Sequence, residues 1–318
     1  MLTRRFLRVK AFKILFSYAY SDNDSLIHAE KELNVSLEKT YDLYHFLFSA
    51  IIAVADYAEG RILTGLKKFK PTVSELNPNR KFVNNSLIAL IRAHKALQQH
   101  CNERNLNWRN YPETIRTIYH NMLERPYYKN YMSSEDNSYE EDHRFVNNFF
   151  KNEFEEVEKV EYLLEEMSAY WSDDTGFVLS AILQTLETFH PDRQAALMPI
   201  FRAKEDKEFA IELLRHSMIH FKEYTKMSQQ FVQNWESDRI AYVDLALIVM
   251  GIAEAIYFPS IPVKVTINEY VEIAKYYSTR NSHVFVNGVL DKILQNLLKE
   301  GTIIKTGRGL IQETINKK

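Results

Sequence analysis

The chain begins with a cluster of basic side chains, Arg4, Arg5, Arg8, Lys10 and Lys13, which all precede its first acidic residue. Arg4 and Arg8 lie one helical turn apart at the predicted start of a helix. Cations there oppose the positive end of the helix dipole, and each costs about a few tenths of a kcal/mol. An external anion such as an RNA phosphate reverses that cost. The cluster therefore suggests an anion site, and a basic N-terminus that only aids solubility stays the alternative.

Patterns for catalysis or metal binding are sparse. His216 and His220 lie one helical turn apart, with Glu212 a turn earlier, and could share a metal ion. The segment lacks the Glu of an H-E-x-x-H pattern, and spacing suggests no third ligand, so we favour two ordinary histidines. Neither G-x-x-x-x-G-K-[ST] nor G-x-G-x-x-G occurs. We expect no cofactor, no metal and no enzymatic activity.

Composition favours an all-α protein. Of 318 residues, 46% are hydrophobic, whereas glycine and proline number only eight each, which argues against sandwiches and Gly-rich turns. The formal net charge of −2 excludes a globally basic nucleic-acid binder, so any RNA site must be local.

The same composition predicts a cytoplasmic protein. The single cysteine, Cys101, excludes an intramolecular disulfide framework and fits a reducing compartment. The early charges do not match a signal peptide, and the most apolar run, 245–253, is too short to span a membrane.

Hydrophobic periodicity predicts helices along most of the chain. We expect helices from about Thr3 and over about 25–33, 37–66 and 82–104, a loop over 67–80, and a partly helical connector over 105–142. Thr266 and Glu269 have the spacing of a capping box, which would begin a helix there. The last long helix is expected to start at Ser282 and to end near Gly301. Residues 302–315 look like a short C-terminal β-hairpin.

An approximate repeat occurs at a spacing of 64 residues. Phe145, Phe149-Phe150, Val157 and Trp171–Asp174 align with Phe209, Leu213-Leu214, Phe221 and Trp235–Asp238. Either a duplicated helix pair or a chance alignment of amphipathic helices explains this pattern.

Two C-terminal segments carry a family resemblance. Val263–Tyr277 closely resembles the "V-x-I-N-E-A-V-E-L-A-K" helix of the NusB family, and Ser282–Ile293 is similar to its "F-V-N-G-V-L-D" helix. Arg4-Arg5-x-x-Arg8, followed by Ala11–Phe16, looks like the arginine-rich first helix of that family. Asp206–Phe258 is similar, more loosely, to the helices of that family that precede the C-terminal motif. The resemblance covers roughly residues 1–60 and 200–295, and about 140 residues between them have no counterpart in a short family member.

The resemblance implies two helical bundles of the NusB type and an RNA-binding transcription antitermination factor. Such proteins bind the boxA element of ribosomal RNA transcripts together with NusE, a small-subunit ribosomal protein, and the complex joins elongating RNA polymerase. On this basis we expect boxA RNA, NusE and the polymerase elongation complex as partners, and no membrane. Homodimerisation stays open.

The resemblance also suggests which residues bind RNA. The expected set is Arg4, Arg5, Arg8, Lys10, Lys13, Asn281 and Phe285. The arginines would contact phosphates or bases, and Phe285 would stack near a base unless it is a core residue. Asn281 stands where the family often has Asp, and an amide can both donate to and accept from a base. Lys305, Arg308 and Lys317-Lys318 could extend the basic surface, or form a solvated tail.

These predictions divide the chain into 1–66, an inserted region 67–200, a C-terminal bundle 201–300 and a tail 301–318. In a second hypothesis the protein is an interaction scaffold whose functional part is the insertion. In a third hypothesis the protein is an RNA cytosine methyltransferase. Such an enzyme needs a Gly-rich cofactor loop and a catalytic cysteine motif, and this sequence contains neither.

Overall fold

The computed structural model describes residues 1–21, 25–154, 157–193, 195–232 and 240–310, and over these ranges the protein is all-α. In chain order the helices are α1 (Arg4–Ala19), α2 (Leu26–Leu66), α3 (Val73–Leu76), α4 (Ser86–Ala93), α5 (Lys95–Glu103), α6 (Pro112–Glu124), α7 (Pro126–Ser133), α8 (Tyr139–Asn152), α9 (Glu158–Met167), α10 (Thr175–Leu186), α11 (Glu205–Ile219), α12 (Phe221–Val232), α13 (Tyr242–Tyr257), α14 (Val263–Tyr277) and α15 (Ser282–Lys299). Short 3₁₀ helices occupy Trp108–Asn110, Ala169–Trp171 and Gly307–Leu310. No described helix has the length and hydrophobicity needed to cross a membrane.

The chain divides into two compact units. The terminal unit comprises Leu2–Ser36 and Phe201–Lys318, and the inserted unit comprises Leu37–Ile200 together with Met1. We predicted that the insertion begins at residue 67, whereas this division begins it at Leu37, inside α2. A boundary inside a continuous helix leaves no composition change for sequence reasoning to detect.

The terminal unit is built around α13. Every residue of α13 from Asp244 to Ala255 is buried, because α1, α11, α12, α14 and α15 all pack against this helix. A helix that is apolar on all sides is expected to lie at the centre of its bundle. The single glycine of this helix, Gly251, lies where α13 meets α14 and α15, so close that an added Cβ would be 2.7 Å from Leu290 Cδ2.

Aromatic side chains of α2 form much of the core of the inserted unit. Phe46 stacks on Trp108 at 4.1 Å between ring centroids and on Trp171 at 5.9 Å. Both indoles donate hydrogen bonds to α2 carbonyls, Trp108 to Phe46 O at 2.8 Å and Trp171 to Lys39 O at 2.7 Å. These bonds satisfy the N–H groups that burial removes from water.

Polar groups are also buried beside α2. Asp42 accepts hydrogen bonds from His100 and Arg104 at 2.9–3.0 Å. His45 stacks on His100 at 3.8 Å, and its burial lowers its pKa to about 4. The Cys101 thiol lies 3.7 Å from His45 O, and burial raises its pKa to about 11.

Two predicted helix boundaries in the first hundred residues are wrong. The separate helices over 25–33 and 37–66 form the single 41-residue helix α2, in which the Asn34 side-chain nitrogen donates to Glu30 O at 2.8 Å. The predicted helix 82–104 is broken at His94, which caps the end of α4 and whose Nδ1 accepts from Leu97 N–H at the start of α5. The predicted loop 67–80 contains α3.

The C-terminal segment shows one confirmed prediction and one error. The helix α15 begins at Ser282 and is followed by Gly301 at φ 77°. The amides of Gly301 and Thr302 bond to Leu298 O and Leu297 O, which is a Schellman cap. The predicted hairpin is absent from its described part, 302–310, where a 3₁₀ helix stands instead. Residues 311–318 lie outside the described residues.

The predicted repeat falls on two successions of three helices, α8 to α10 and α11 to α13. Its apolar residues Phe145, Phe149 and Phe150, and equally Phe209, Leu213 and Leu214, are buried. The second tryptophan segment, 235–238, lies outside the described residues, so the duplication stays a prediction.

Candidate nucleic-acid interface

The first turn of α1 presents two arginines. Thr3 caps the helix, since its hydroxyl oxygen accepts from Phe6 N–H at 3.2 Å, as the predicted start near Thr3 requires. The Arg4 side chain is 44% exposed and its Nε donates to Asp206 at 3.1 Å. The Arg5 side chain is 54% exposed and binds Glu269 through two hydrogen bonds of 3.0 and 2.8 Å. Each guanidinium is oriented by a carboxylate and still faces solvent.

Arg8 is buried, unlike its two neighbours. Its guanidinium makes two hydrogen bonds, 2.6 and 2.9 Å long, to Glu254 on α13, and both side chains are at most 4% exposed. Burial opposes the charge of Arg8, but the adjacent Glu254 carboxylate outweighs it and raises the pKa of Arg8. Thr266 and Tyr270 also donate to Glu254, at 2.9 and 3.1 Å. This satisfied network anchors α1 to α13 and α14.

The predicted capping box at Thr266 and Glu269 is wrong. The helix α14 starts at Val263, with Pro262 at the N-cap, so Thr266 already lies inside the helix. Its hydroxyl donates to Glu254, and Glu269 binds Arg5 and lies 3.5 Å from Arg8 Nη1. A T-x-x-E spacing matches a capping box locally, but Thr266 binds a residue on the preceding helix and Glu269 binds arginines more than 260 residues away.

The two lysines of the predicted set have different surroundings. Lys10 is only 2% exposed, and its Nζ lies 5.4 Å from the centroid of the Phe6 ring. Lys13 is half-buried, with its Nζ 5.5 Å from the centroid of the Tyr277 ring on α14. Of the basic residues predicted on α1, Arg4, Arg5 and Lys13 therefore reach the surface, and Arg8 and Lys10 lie beneath it.

Side-chain contacts connect α1 and α14 in the same order along both helices. Arg5 meets Glu269 near one end. Phe12, seven residues further along α1, meets Tyr277, eight residues further along α14, at 5.7 Å between ring centroids. At 1.5 Å per residue, eight residues span about 12 Å. Arg5 and Lys13 thus lie on the side of α1 that meets α14, and we call this pair the α1 strip, which ends where α14 leads into α15. Arg4 lies on the side that meets α11, against Asp206.

Asn281 and Phe285 lie at the start of α15. Asn281 is exposed, and its carbonyl accepts from the amides of Val284 and Phe285 at 3.1 and 3.3 Å. Phe285 is half-buried. The buried carboxylate of Asp244 on α13 holds this turn, because it accepts from the hydroxyls of Ser278 and Ser282.

Sequence reasoning missed the residues that orient the arginines. Asp206 and Phe209 on α11 lie against Arg4, and the Phe209 ring centroid is 5.0 Å from Arg4 Cζ and 5.2 Å from Arg8 Cζ. Glu254 was missed as well. The only available signal was Glu254 itself, a carboxylate at the end of a long apolar run, which must find a buried partner.

The remaining candidates lie elsewhere. His216 stacks on Tyr257 at 3.5 Å, and His220 shares a 2.7 Å hydrogen bond with the Tyr257 hydroxyl. Within the described ranges, no three His, Cys, Asp or Glu side chains come together as a metal-binding group.

Lys305 is buried and donates to Ala255 O and Phe258 O, so its ammonium is not part of a basic surface. Arg308 is exposed, and Lys317-Lys318 lie outside the described residues.

Fold and site together define an all-helical protein with a local basic strip. A model of the NusB family matches residues 181–295. The transcription antitermination protein NusB of Salinibacter ruber is 39% identical over 133 residues, which is 40% of this chain and 83% of that protein. The protein of the same name from Methylacidiphilum infernorum is 35% identical over 138 residues, 43% of this chain and 90% of that protein. The chain therefore belongs to the NusB family of transcription antitermination proteins, which are not enzymes.

Two further matches are more limited. The Chloroherpeton thalassium protein of the same name is 37% identical over 105 residues, 33% of this chain and 50% of that protein. A solved structure of T. maritima NusB is 26% identical and covers 42% of this chain and 84% of its own, with a TM-score of 0.28. A score this low carries no argument about the fold.

Proposed function

We propose that this protein is a cytoplasmic, RNA-binding antitermination factor that binds boxA RNA of ribosomal RNA transcripts together with NusE. The complex would then join elongating RNA polymerase. Family membership supports the antitermination role. The choice of RNA and of protein partner rests on the resemblance of α1, α14 and α15 to the corresponding NusB helices.

One observation carries the RNA-binding part of the proposal. Arg4 and Arg5 stay 44% and 54% exposed although Asp206 and Glu269 fix their guanidinium groups. Such arginines can bind a phosphate with less loss of side-chain freedom than unrestrained ones. They also lie in the first turn of a helix, where an anion is stabilised by the helix dipole.

The buried basic residues act indirectly in this proposal. Arg8 fixes α1 against α13 through Glu254 and so sets the positions of Arg4 and Arg5. Lys10 lies beneath the surface as well. The surface that would face RNA comprises Arg4 and the α1 strip, with Asn281 and Phe285 at the end of that strip.

The test is binding of a labelled boxA RNA and of a scrambled RNA of equal length, each with and without purified NusE. We expect tighter binding to boxA, and a further increase when NusE is present. Equal affinity for both RNAs that NusE does not improve would contradict the proposal.

Phe285 allows a sharper test of the base-binding end. Stacking of a base on an aromatic ring contributes about 1–3 kcal/mol, so Phe285→Ala should weaken boxA binding by roughly 5-fold to 150-fold. Val284→Ala, at the adjacent 57% exposed position, is the matched control and should have little effect. Equal effects of the two substitutions would remove Phe285 from the interface.

The scaffold hypothesis keeps one supporting observation. The inserted unit has its own aromatic core and leaves Phe69 96% exposed and Val73 80% exposed. A scaffold without RNA function predicts that boxA RNA does not bind at all, in the presence or absence of NusE.

A further inference from the structure

The end of α2 and the short helix α3 expose a cluster of apolar side chains. Phe69 is 96% exposed, Val73 80%, Leu76 53% and Leu66 40%. We call residues 66–76 the tip. Isolated exposed apolar residues are common, but several within eleven residues indicate an interaction surface.

The tip is held in a defined shape. Thr72 and Glu75 form a capping box at the start of α3, and Glu75 also pairs with Lys68. The side chain of Glu75 lies against α2, since a Cβ added to Gly65 would be 3.3 Å from Glu75 Cγ. The apolar side chains are thus presented by an ordered segment, which lowers the entropic cost of binding.

The tip is also basic. Lys67, Lys68 and Lys70 surround Phe69, Arg61 lies one and a half turns earlier on α2, and all four are exposed. Glu75 is the one acidic residue of the tip, and it pairs with Lys68. The fitting partner is therefore an apolar groove with carboxylates at its edge.

The inserted unit contains such a groove between α6 and α9. Its apolar lining includes Tyr111, Pro112, Tyr162 and Leu163, and Tyr162 is 69% exposed. The carboxylates that line it belong to Glu113, Glu158 and Glu166, against a single cation, Lys159. All three glutamates are exposed to solvent.

We propose that the tip of one copy of this protein docks in the α6–α9 groove of a second copy. Phe69 would cover Tyr162 and Leu163, and the lysines beside Phe69 would face Glu113, Glu158 and Glu166. The two surfaces are complementary in both hydrophobicity and charge, and a single chain carries both. The contact is heterologous, because different surfaces of the two copies meet.

The observations disfavour RNA as the occupant of the tip. Phe69 is the one aromatic residue of the tip, and Leu66, Val73 and Leu76 are aliphatic, whereas binding of single-stranded RNA stacks successive bases on several aromatic rings. A lipid surface would match the tip, but it would leave the acidic groove without a partner. A second copy accounts for both surfaces at once.

The experiment measures association of the full-length protein by sedimentation velocity over a range of concentrations. A contact limited to a tip and a groove is small, so we expect a dissociation constant in the micromolar range or weaker. The tip variant is Phe69→Asp, and the groove variant combines Tyr162→Ala with Glu166→Lys. Each variant alone should be monomeric, because it has lost one of the two complementary surfaces.

Mixing the two variants is the decisive step. An equimolar mixture still contains one intact groove and one intact tip, and should form heterodimers and nothing larger.

Two control variants carry comparable charge changes elsewhere. Ile27→Asp, at a 79% exposed position, controls for a charge placed on an exposed apolar residue, and Glu165→Lys controls for charge reversal on α9 outside the groove. Both controls should associate as the unmodified protein does.

Several results would overturn the proposal. One is an unmodified protein that stays monomeric at every concentration, and another is association that Phe69→Asp and the groove variant leave unchanged. Binding of a uridine-rich RNA, or of vesicles containing anionic lipid, that Phe69→Asp abolishes in a monomeric protein would assign the tip to that ligand instead.

Discussion

Arg8 and Glu254 are 246 residues apart in the chain and form a buried ion pair with hydrogen bonds of 2.6 and 2.9 Å. The pair joins the first helix of the terminal unit to its central helix. The exposed arginines Arg4 and Arg5 lie on the same helix as Arg8. Their positions therefore depend on a contact that RNA itself would not touch.

Removing one member of this pair should destabilise the protein strongly. In Glu254→Gln the buried guanidinium of Arg8 loses its doubly hydrogen-bonded carboxylate and keeps only Glu269, 3.5 Å away, which is expected to cost about 3–5 kcal/mol of unfolding free energy. Urea denaturation followed by circular dichroism measures the loss. Glu272→Gln, at a half-exposed carboxylate paired with Lys275, is the control and should change stability by about 0.5 kcal/mol or less. A loss as small for Glu254→Gln would show that the pair is not essential.

Arg4 and Arg5 should determine the salt dependence of RNA binding. For single-stranded RNA the logarithm of affinity falls with the logarithm of salt concentration by about 0.7 for each phosphate neutralised. The double variant Arg4→Ala, Arg5→Ala should therefore reduce the slope by about 1.4. Arg215→Ala removes an arginine similarly paired with carboxylates, Glu30 and Glu212, and should leave the slope unchanged. An unaltered slope in the double variant would exclude both arginines from phosphate contact.

Gly251 should not tolerate a methyl group. A Cβ there would lie 2.7 and 3.0 Å from the two terminal carbons of Leu290 and 3.3 Å from Tyr270, and both side chains are fully buried. We expect Gly251→Ala to cost about 1–3 kcal/mol through overpacking. Gly60→Ala places a methyl group in open space on α2 and should instead stabilise the protein by about 0.5–1 kcal/mol. Thermal unfolding of the two variants compares them, and similar melting temperatures would contradict the packing argument.

His45 should make the inserted unit less stable in acid. Burial lowers its pKa to about 4, below the ordinary value of 6.5 that it regains on unfolding. The unfolded chain therefore takes up the proton first, so this contribution to stability is complete above pH 6.5 and is lost as the pH falls towards 4. The loss is on the order of 3 kcal/mol.

Replacing His45 by Asn tests this assignment, because the Asn amide can still reach Tyr41 O, to which His45 Nδ1 is hydrogen-bonded. Urea denaturation between pH 7.5 and 4.5 should show a weaker pH dependence in the variant than in the unmodified protein. Parallel pH profiles would assign the acid sensitivity to other groups.

Residue types close to a helix end were sufficient to predict that end where adjacent residues in the sequence determine it. Thr3, Ser282 and Gly301 mark helix ends that the structure confirms. The same signals failed where distant contacts decide. The helix α2 continues past Asn34, and Glu269 binds an arginine 264 residues away instead of capping its own helix.

The site was predictable in the same uneven way. The sequence identified a cluster of basic residues on α1, but nothing in it distinguished the exposed Arg4 and Arg5 from the buried Arg8. That distinction depends on which face of α1 packs against α13, and therefore on Glu254, which is far away in the sequence. The groove of the inserted unit had no sequence signal, because it combines residues from α6 and α9. The tip is contiguous in sequence, but the exposure of its apolar side chains could not be read from their types.

The half-buried thiol of Cys101 has a practical consequence. It is the only cysteine of the chain, and with its pKa raised to about 11 it stays protonated and slow to react at neutral pH. Any opening of the inserted unit that exposes it should accelerate its modification by a thiol reagent. Cys101 is thus a natural reporter of local opening in the inserted unit, and the terminal unit has no cysteine. The rate at which the inserted unit opens can therefore be followed without introducing a labelling site.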